Sequence, residues 1–133
     1  MPINSASCNF NWKPEDFSLK DLNNNTLNFY NCFGEKGLLV MFICNHCPYV
    51  KSIEKKIKYE TDMLLSIGIK SVAIMSNDQE AYIEDSTDRL KKQSSDNNFN
   101  FPYLIDFDQS TAKKFQALCT PEFFGFNSDK SLQ

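Results

Sequence analysis

A chain of 133 residues with 41% hydrophobic side chains and twelve Phe is long enough for one buried core and too short for two, which excludes a largely disordered polymer. A net charge of −3, with lysines scattered among acids, leaves no basic stripe for nucleic acid. No stretch reaches the roughly 18 apolar residues of a membrane-spanning helix. Residues 1–11 are polar and lack the charged-then-apolar layout of a signal peptide. The expected location is therefore the cytoplasm, although a mature exported form with its leader removed would read the same.

Residues 1–14 give little pattern and read as an extended lead-in, so that an N-terminal extension over 1–15 precedes the folded domain. Phe17 and Leu19 alternate with polar neighbours, as in a short strand. Asn23-Asn24-Asn25 makes a turn, and residues 26–29 return as the second strand of a hairpin. After a loop holding Gly34 and Gly37, residues 38–43 form an apolar run fit for a buried strand. Val50, Ile53, Ile57, Leu64 and Ile67 then recur at three- and four-residue steps. This spacing predicts an amphipathic helix over 47–66, with Pro48 in its first turn and Gly68 at its stop.

Residues 71–75 predict a second apolar strand, and Ser76-Asn77-Asp78 offers caps for a helix over 79–93. Residues 101–105 read as a third strand with Pro102 near its start. Asp108 or Ser110 caps a short helix ending near Leu118. Residues 122–126 read as a last strand, antiparallel to the first long one, followed by the turn signal Asn127-Ser128-Asp129-Lys130. Strands alternating with helices mean an α/β domain with a largely parallel centre.

Five cysteines are too few and too uneven for a disulfide-stapled scaffold. Cys8 and Cys32 read as ordinary small residues. Cys44 and Cys47 differ, because they lie where the apolar strand becomes a helix. A Cys-x-x-Cys across a helix's first turn opens and closes as a disulfide with little backbone movement. Cys44 is expected to be the exposed nucleophile, its thiolate favoured by the unpaired N–H groups and dipole of the helix start. Cys47 is expected one turn inward, as the resolving thiol. His46, the only histidine, is placed to favour the thiolate and to shift the couple toward oxidising potentials; its bland alternative is a solvated first-turn residue. Three rivals remain open. They are a purely structural thiol pair, a metal-binding or metal-delivery site of Cys44, His46 and Cys47 with or without Cys119, and a peroxidatic cysteine. Against the metal, the chain has no second Cys-x-x-Cys and no His pair.

The order strand, Cys-x-x-Cys, helix, strand, helix and a Thr-Pro step before a strand resembles the thioredoxin superfamily. The blocks Val40-Met41-Phe42-Ile43-Cys44-Asn45-His46-Cys47-Pro48-Tyr49-Val50-Lys51, Ser76-Asn77-Asp78, Phe101-Pro102-Tyr103-Leu104-Ile105-Asp106 and Cys119-Thr120-Pro121-Glu122-Phe123-Phe124 are similar to bacterial redoxin proteins of the AhpC/TSA type. The resemblance runs from about Phe17 to the end of the chain. It implies a thioredoxin-like fold, with an N-terminal β-hairpin and a central mixed sheet flanked by helices. It implies a cis-proline at Pro121 facing the disulfide, with Thr120 as a substrate contact. Cys119 would then lie near Cys44 and Cys47 as a third redox partner, a metal ligand or, most simply, a small buried residue. The implied activity is that of a thiol–disulfide oxidoreductase, an antioxidant redoxin. Its partners would be thiol and disulfide proteins or small thiols, with no cofactor besides the Cys44–Cys47 disulfide and neither nucleic acid nor membrane involved.

Peroxiredoxins share this fold, and their motif is Pro-x-x-x-Thr-x-x-Cys. With its cysteine on Cys47, Val40 stands in place of Pro and Cys44 in place of Thr. Arg89, the only arginine, lies on a helix rather than at the start of a later strand, where peroxiredoxins place theirs. Peroxide activation needs donors aimed at the peroxide oxygens. A peroxidase using Cys47 as the first sulfur oxidised, with Cys44 or Cys119 as resolver, is therefore the alternative. A thioredoxin fold also needs a final strand and helix after the hairpin turn. Residues 16–133 are accordingly expected to be a domain cut short at its C-terminus, with a Phe-rich edge on its last strand.

Overall fold

The apolar run that follows Gly37 forms a strand one in from the edge of a six-stranded sheet. The computed structural model describes residues 11–117 and 119–133, so that Cys8 and the helix end expected near Leu118 lie outside the described residues. The strands are β1 (Ser18–Asp21), β2 (Thr26–Asn28), β3 (Gly37–Phe42), β4 (Ile69–Met75), β5 (Tyr103–Ile105) and β6 (Glu122–Asn127), in the order β2-β1-β5-β4-β3-β6. β3 and β4 run parallel from Gly37↔Ile69 to Phe42↔Ile74, and β4 and β5 are also parallel. β6 lies antiparallel to β3, with Leu38 opposite Phe126. β1 joins the hairpin to β5 through an antiparallel pair.

Side chains of β3 alternate between two cores, as the pleat requires. Leu38, Val40 and Phe42 face an aromatic layer with Phe29, Phe115 and Phe126. Met41 and Ile43 face the other side, against Val50 and Ile57 of helix α1 (Pro48–Ser66) and Leu90 of α2 (Thr87–Asn97). A strand buried on both faces is what an unbroken apolar run predicts. Phe115, at the end of α3 (Ser110–Phe115), anchors the aromatic layer. Its ring meets Trp12, Phe42, Phe124, Phe126 and Phe29 edge-on, at centroid distances of 5.2 to 5.9 Å. Trp12, in the segment read as lead-in, thus packs on the core.

Three elements differ from their sequence expectation. The helix expected over 79–93 begins only at Thr87, because Ser86 is the residue whose hydroxyl caps it, accepting the N–H of Arg89 in the first turn at 3.4 Å. Asp78 instead holds a turn by accepting from the Glu80 N–H, and a single 3₁₀ turn at Ile83–Asp85 leads into the cap. β4 starts two residues early, since Ile69 and Lys70 pair with Gly37 and Leu38 although neither is buried. β5 starts after Pro102, which has no N–H to give the ladder. The far edge of β6 is partly covered by the chain itself. The turn at 127–131 brings Gln133 back to donate to the Gly125 carbonyl at 2.7 Å, and Leu132 bridges to Phe126. Phe123 stays 46% exposed. Among the described residues no helix is long and apolar enough to cross a membrane.

Replacing Phe115 removes a ring on which six others converge, Phe17 among them at 6.2 Å. Phe115→Ala is expected to lower unfolding stability by about 3–5 kcal/mol, read from denaturant melts. The thiol reactivity of the still-folded variant should remain that of the wild type, because Phe115 belongs to the aromatic layer and the two sulfurs do not.

Candidate active site

The helix begins at Pro48, and this sets the geometry of both sulfurs. Cys47 is the N-cap residue, extended at φ −77° and ψ 121°, so its sulfur sits at the open end of α1. Cys44 lies three residues earlier, at the exit of β3, and is 0% exposed. The accessibility order expected from sequence is thus reversed: Cys47 is the half-buried sulfur and Cys44 the inner one. The pair spans the strand-to-helix turn rather than the first helical turn.

The two environments push the thiols apart. Burial pushes the Cys44 thiol up; the Thr120 hydroxyl opposes this and the Asp85 carboxylate adds to it. For Cys47 the desolvation is outweighed by the Val50 N–H, the Thr120 side chain, the Tyr49 N–H and the Cys44 thiol, which together hold it below the ordinary thiol value. Thr120 is the facing wall. Its Oγ1 lies 3.5 Å from Cys44 Sγ, its carbonyl accepts from Cys47 Sγ at 3.5 Å, and the Thr120–Pro121 bond is cis.

His46 is tied to Asp85. Its Nδ1 is 2.6 Å from Asp85 Oδ2, and the ring stacks on Tyr82 with centroids 4.3 Å apart. Asp85 is fully buried and also accepts from the N–H groups of Asn45 and His46. On the inner side, Gln93 Nε2 donates to the Cys44 carbonyl at 3.1 Å and to Glu54, while Tyr103 donates to Gln93 Oε1 at 2.8 Å. Asp85, Tyr82 and Gln93 escape sequence reasoning. They lie about 40 residues from the motif, on segments that read as an ordinary helix and its cap.

Cys119 is exposed, against the simplest expectation that it is buried. It lines a cleft of about 270 Å³ with Asn77, Gln109, Lys113 and Thr120. Cys32 is buried and donates to the Asn28 carbonyl, as befits an ordinary small residue.

The AhpC/TSA family model matches residues 13–133. The chain belongs to the AhpC/TSA family. An uncharacterized conserved protein from Geobacillus kaustophilus superposes with a TM-score of 0.88 at 34% identity, over 93% of this redoxin and 66% of that protein. This redoxin therefore spans about two thirds of that relative's length. A secreted disulfide oxidoreductase of Mycobacterium tuberculosis superposes at 0.73 and 15% identity, over 88% of this chain and 80% of that protein. A peroxidoxin from the same organism superposes at 0.69 and 15% identity, covering 92% and 81% of the two chains. These last two share the thioredoxin-like fold. Comparison with curated protein sequences gives no significant match.

Two rival chemistries can be set against this geometry. Arg89 of the redoxin pairs with Glu84 at 3.6 Å on an exposed face. For a metal, the compact donor set is Cys44, His46 and Asp85 rather than Cys47, with the donor atoms within 4.8 Å of one another. His46 Nδ1 and both Asp85 oxygens are already satisfied by each other and by N–H donors, so the arrangement favours a hydrogen-bonded pair.

The opposed thiol shifts give a direct expectation. A lowered thiol is thiolate at lower pH, so Cys47 should be alkylated by iodoacetamide at lower pH than Cys44, as read by mass-resolved labelling of each single Cys→Ser variant. Thr120→Val should move the Cys47 profile to higher pH.

Proposed function

We propose that this redoxin is a thiol–disulfide oxidoreductase in which Cys47 attacks and Cys44 resolves. The observation that carries the reading is the pairing of an accessible, lowered thiol at a helix start with a buried, raised thiol three residues before it, both against Thr120. The Cys47 thiolate displaces one sulfur of a disulfide R–S–S–R′, forming a Cys47–S–S–R mixed disulfide and releasing R′S⁻. Cys44 then attacks Cys47 Sγ, forming the Cys44–Cys47 disulfide and releasing RS⁻. The reverse sequence delivers the disulfide to a dithiol. Partners of this chemistry are thiol and disulfide proteins or small thiols, and the couple needs no cofactor beyond its own disulfide. Thr120 and Pro121 would form the wall along which a substrate sulfur approaches.

A second reading is favoured by the same Cys47. An accessible, lowered thiol at a helix N-terminus is also the first sulfur that a peroxide would oxidise, with Cys44 available as resolver. Arg89, the cation such a reading would call on, pairs with Glu84 on an exposed face instead.

Equilibration with reduced and oxidised glutathione separates the two. The wild type should form a reversible Cys44–Cys47 disulfide; Cys44→Ser should trap glutathione on Cys47, and Cys47→Ser should lose exchange by about 100-fold or more. Absence of any disulfide between Cys44 and Cys47 would sink the oxidoreductase reading. Rapid, thiol-sustained peroxide consumption that survives Cys44→Ser would replace it with the peroxidase.

A further inference from the structure

Asp85 is a carboxylate with no surface exposure, and its hydrogen bonds all run to the segment carrying the two sulfurs or to the residues that hold it. Oδ1 accepts from the N–H of Asn45 at 2.6 Å and of His46 at 3.1 Å. Oδ2 accepts from Asn77 Nδ2 at 3.0 Å and meets His46 Nδ1 at 2.6 Å. The Tyr82 ring lies flat against the imidazole, 12° from parallel. The ring is thus held on its edge and on its face. Cys44 Sγ, a ring nitrogen of His46 and a carboxylate oxygen of Asp85 lie within 4.8 Å of one another.

We propose that His46, held by Asp85, takes the proton of the Cys44 thiol in the resolving step, and that Asp85 is the positioning residue of this transfer. The inference rests on the reading above, in which Cys44 resolves. A thiol is a poor nucleophile and its thiolate a good one, so a buried Cys44 needs a base within reach before it can attack. The separation in the resting protein is longer than a hydrogen bond, as is common before a reaction intermediate draws the groups together. The step balances. The Cys44 S–H bond breaks and its proton passes to His46. The sulfur's electron pair forms the bond to Cys47 Sγ, and the pair of the Cys47–S(R) bond leaves with RS⁻. The imidazolium then returns the proton to RS⁻. While charged, it is paired with a carboxylate 2.6 Å away in a site where such a bond is strong.

A merely structural Asp85 would serve only to accept the two N–H groups of the Cys44–Cys47 turn. Asp85→Asn keeps an oxygen for those N–H groups and removes the charge, so it tells the two roles apart. The charged and titratable groups around the pair are Cys44 and Cys47 on the turn, Tyr82 and Glu84 beside Asp85, and Lys51 of α1, which reaches Asn45 at 2.8 Å.

Dithiodipyridine resolves the steps, because Cys47 attack releases one thiopyridone and Cys44 resolution releases the second. Asp85→Asn and His46→Gln should keep the first release within about threefold of wild type and slow the second by about 100-fold. The double variant should be no slower than the slower single variant. Raising the pH should restore the second release in either variant, as hydroxide replaces the lost base. A second release at the wild-type rate in a folded variant overturns the proposal. If Asp85→Asn loses its cooperative melt, His46→Gln, whose side chain is 32% exposed, decides alone. A wild type in which Cys44 rather than Cys47 carries the mixed disulfide overturns the underlying order of attack instead, and is recognised by mass mapping of the trapped adduct.

Discussion

The position of Pro48 governs the chemistry of this site. Proline has no N–H to lose at a helix's first position, and its ring keeps the preceding residue out of the helical region. Cys47 is therefore extended and lies just outside α1, where the N–H groups of Tyr49 and Val50 favour its thiolate. Cys44, three residues earlier, cannot join the helix and stays at the exit of β3, under the Thr120 side chain. One imino acid thus separates an open sulfur from a closed one.

The closed sulfur is held in place by polar groups rather than by packing alone. Gln93 of α2 joins the Cys44 carbonyl to Glu54 of α1 and to the Tyr103 hydroxyl of β5, so one amide ties three elements to the motif. Glu54 is in turn paired with Lys51, which reaches Asn45 inside the motif. A buried network of this kind is costly if any member is unsatisfied and rigid when all are. Here every member has its partners, and the turn between β3 and α1 is fixed from both helices.

How much of this was legible in the sequence depended on the range of the interaction. The strand after Gly37, read over 38–43 and found at Gly37–Phe42, the helix behind Pro48 and the closing antiparallel strand follow from local apolar period and turn residues, and the resemblance places Thr120 and Pro121 opposite the sulfurs. The start of α2 was misjudged because Ser76-Asn77-Asp78 and Ser86-Thr87-Asp88 are both good caps. Only tertiary packing chooses Ser86, leaving Asp85 free to turn inward to His46. Burial of the two sulfurs was misjudged for a related reason. The spacing of a Cys-x-x-Cys fixes the distance between two thiols but not where the helix begins. The contacts of Asp85 and Gln93 span 39 and 49 residues, a separation that no periodic pattern encodes.

The fold does not choose between exchange and peroxide chemistry, since a disulfide oxidoreductase and a peroxidoxin superpose on this chain about equally well. The choice lies in the groups next to Cys47. The peroxide motif has a threonine three residues before its cysteine and an arginine from a later strand. Here that threonine position is Cys44, and the arginine's charge is spent on Glu84 at the surface. A hydroxyl is still supplied, by Thr120 from the opposite wall, where its Oγ1 touches the inner sulfur. Exchanging a hydroxyl donor for a thiol removes one group that would polarise a peroxide and puts a second sulfur beside Cys47. The His46–Asp85 pair beside it, in which only Asp85 is fully buried, fits the proposed exchange, where the second sulfur's proton needs somewhere to go.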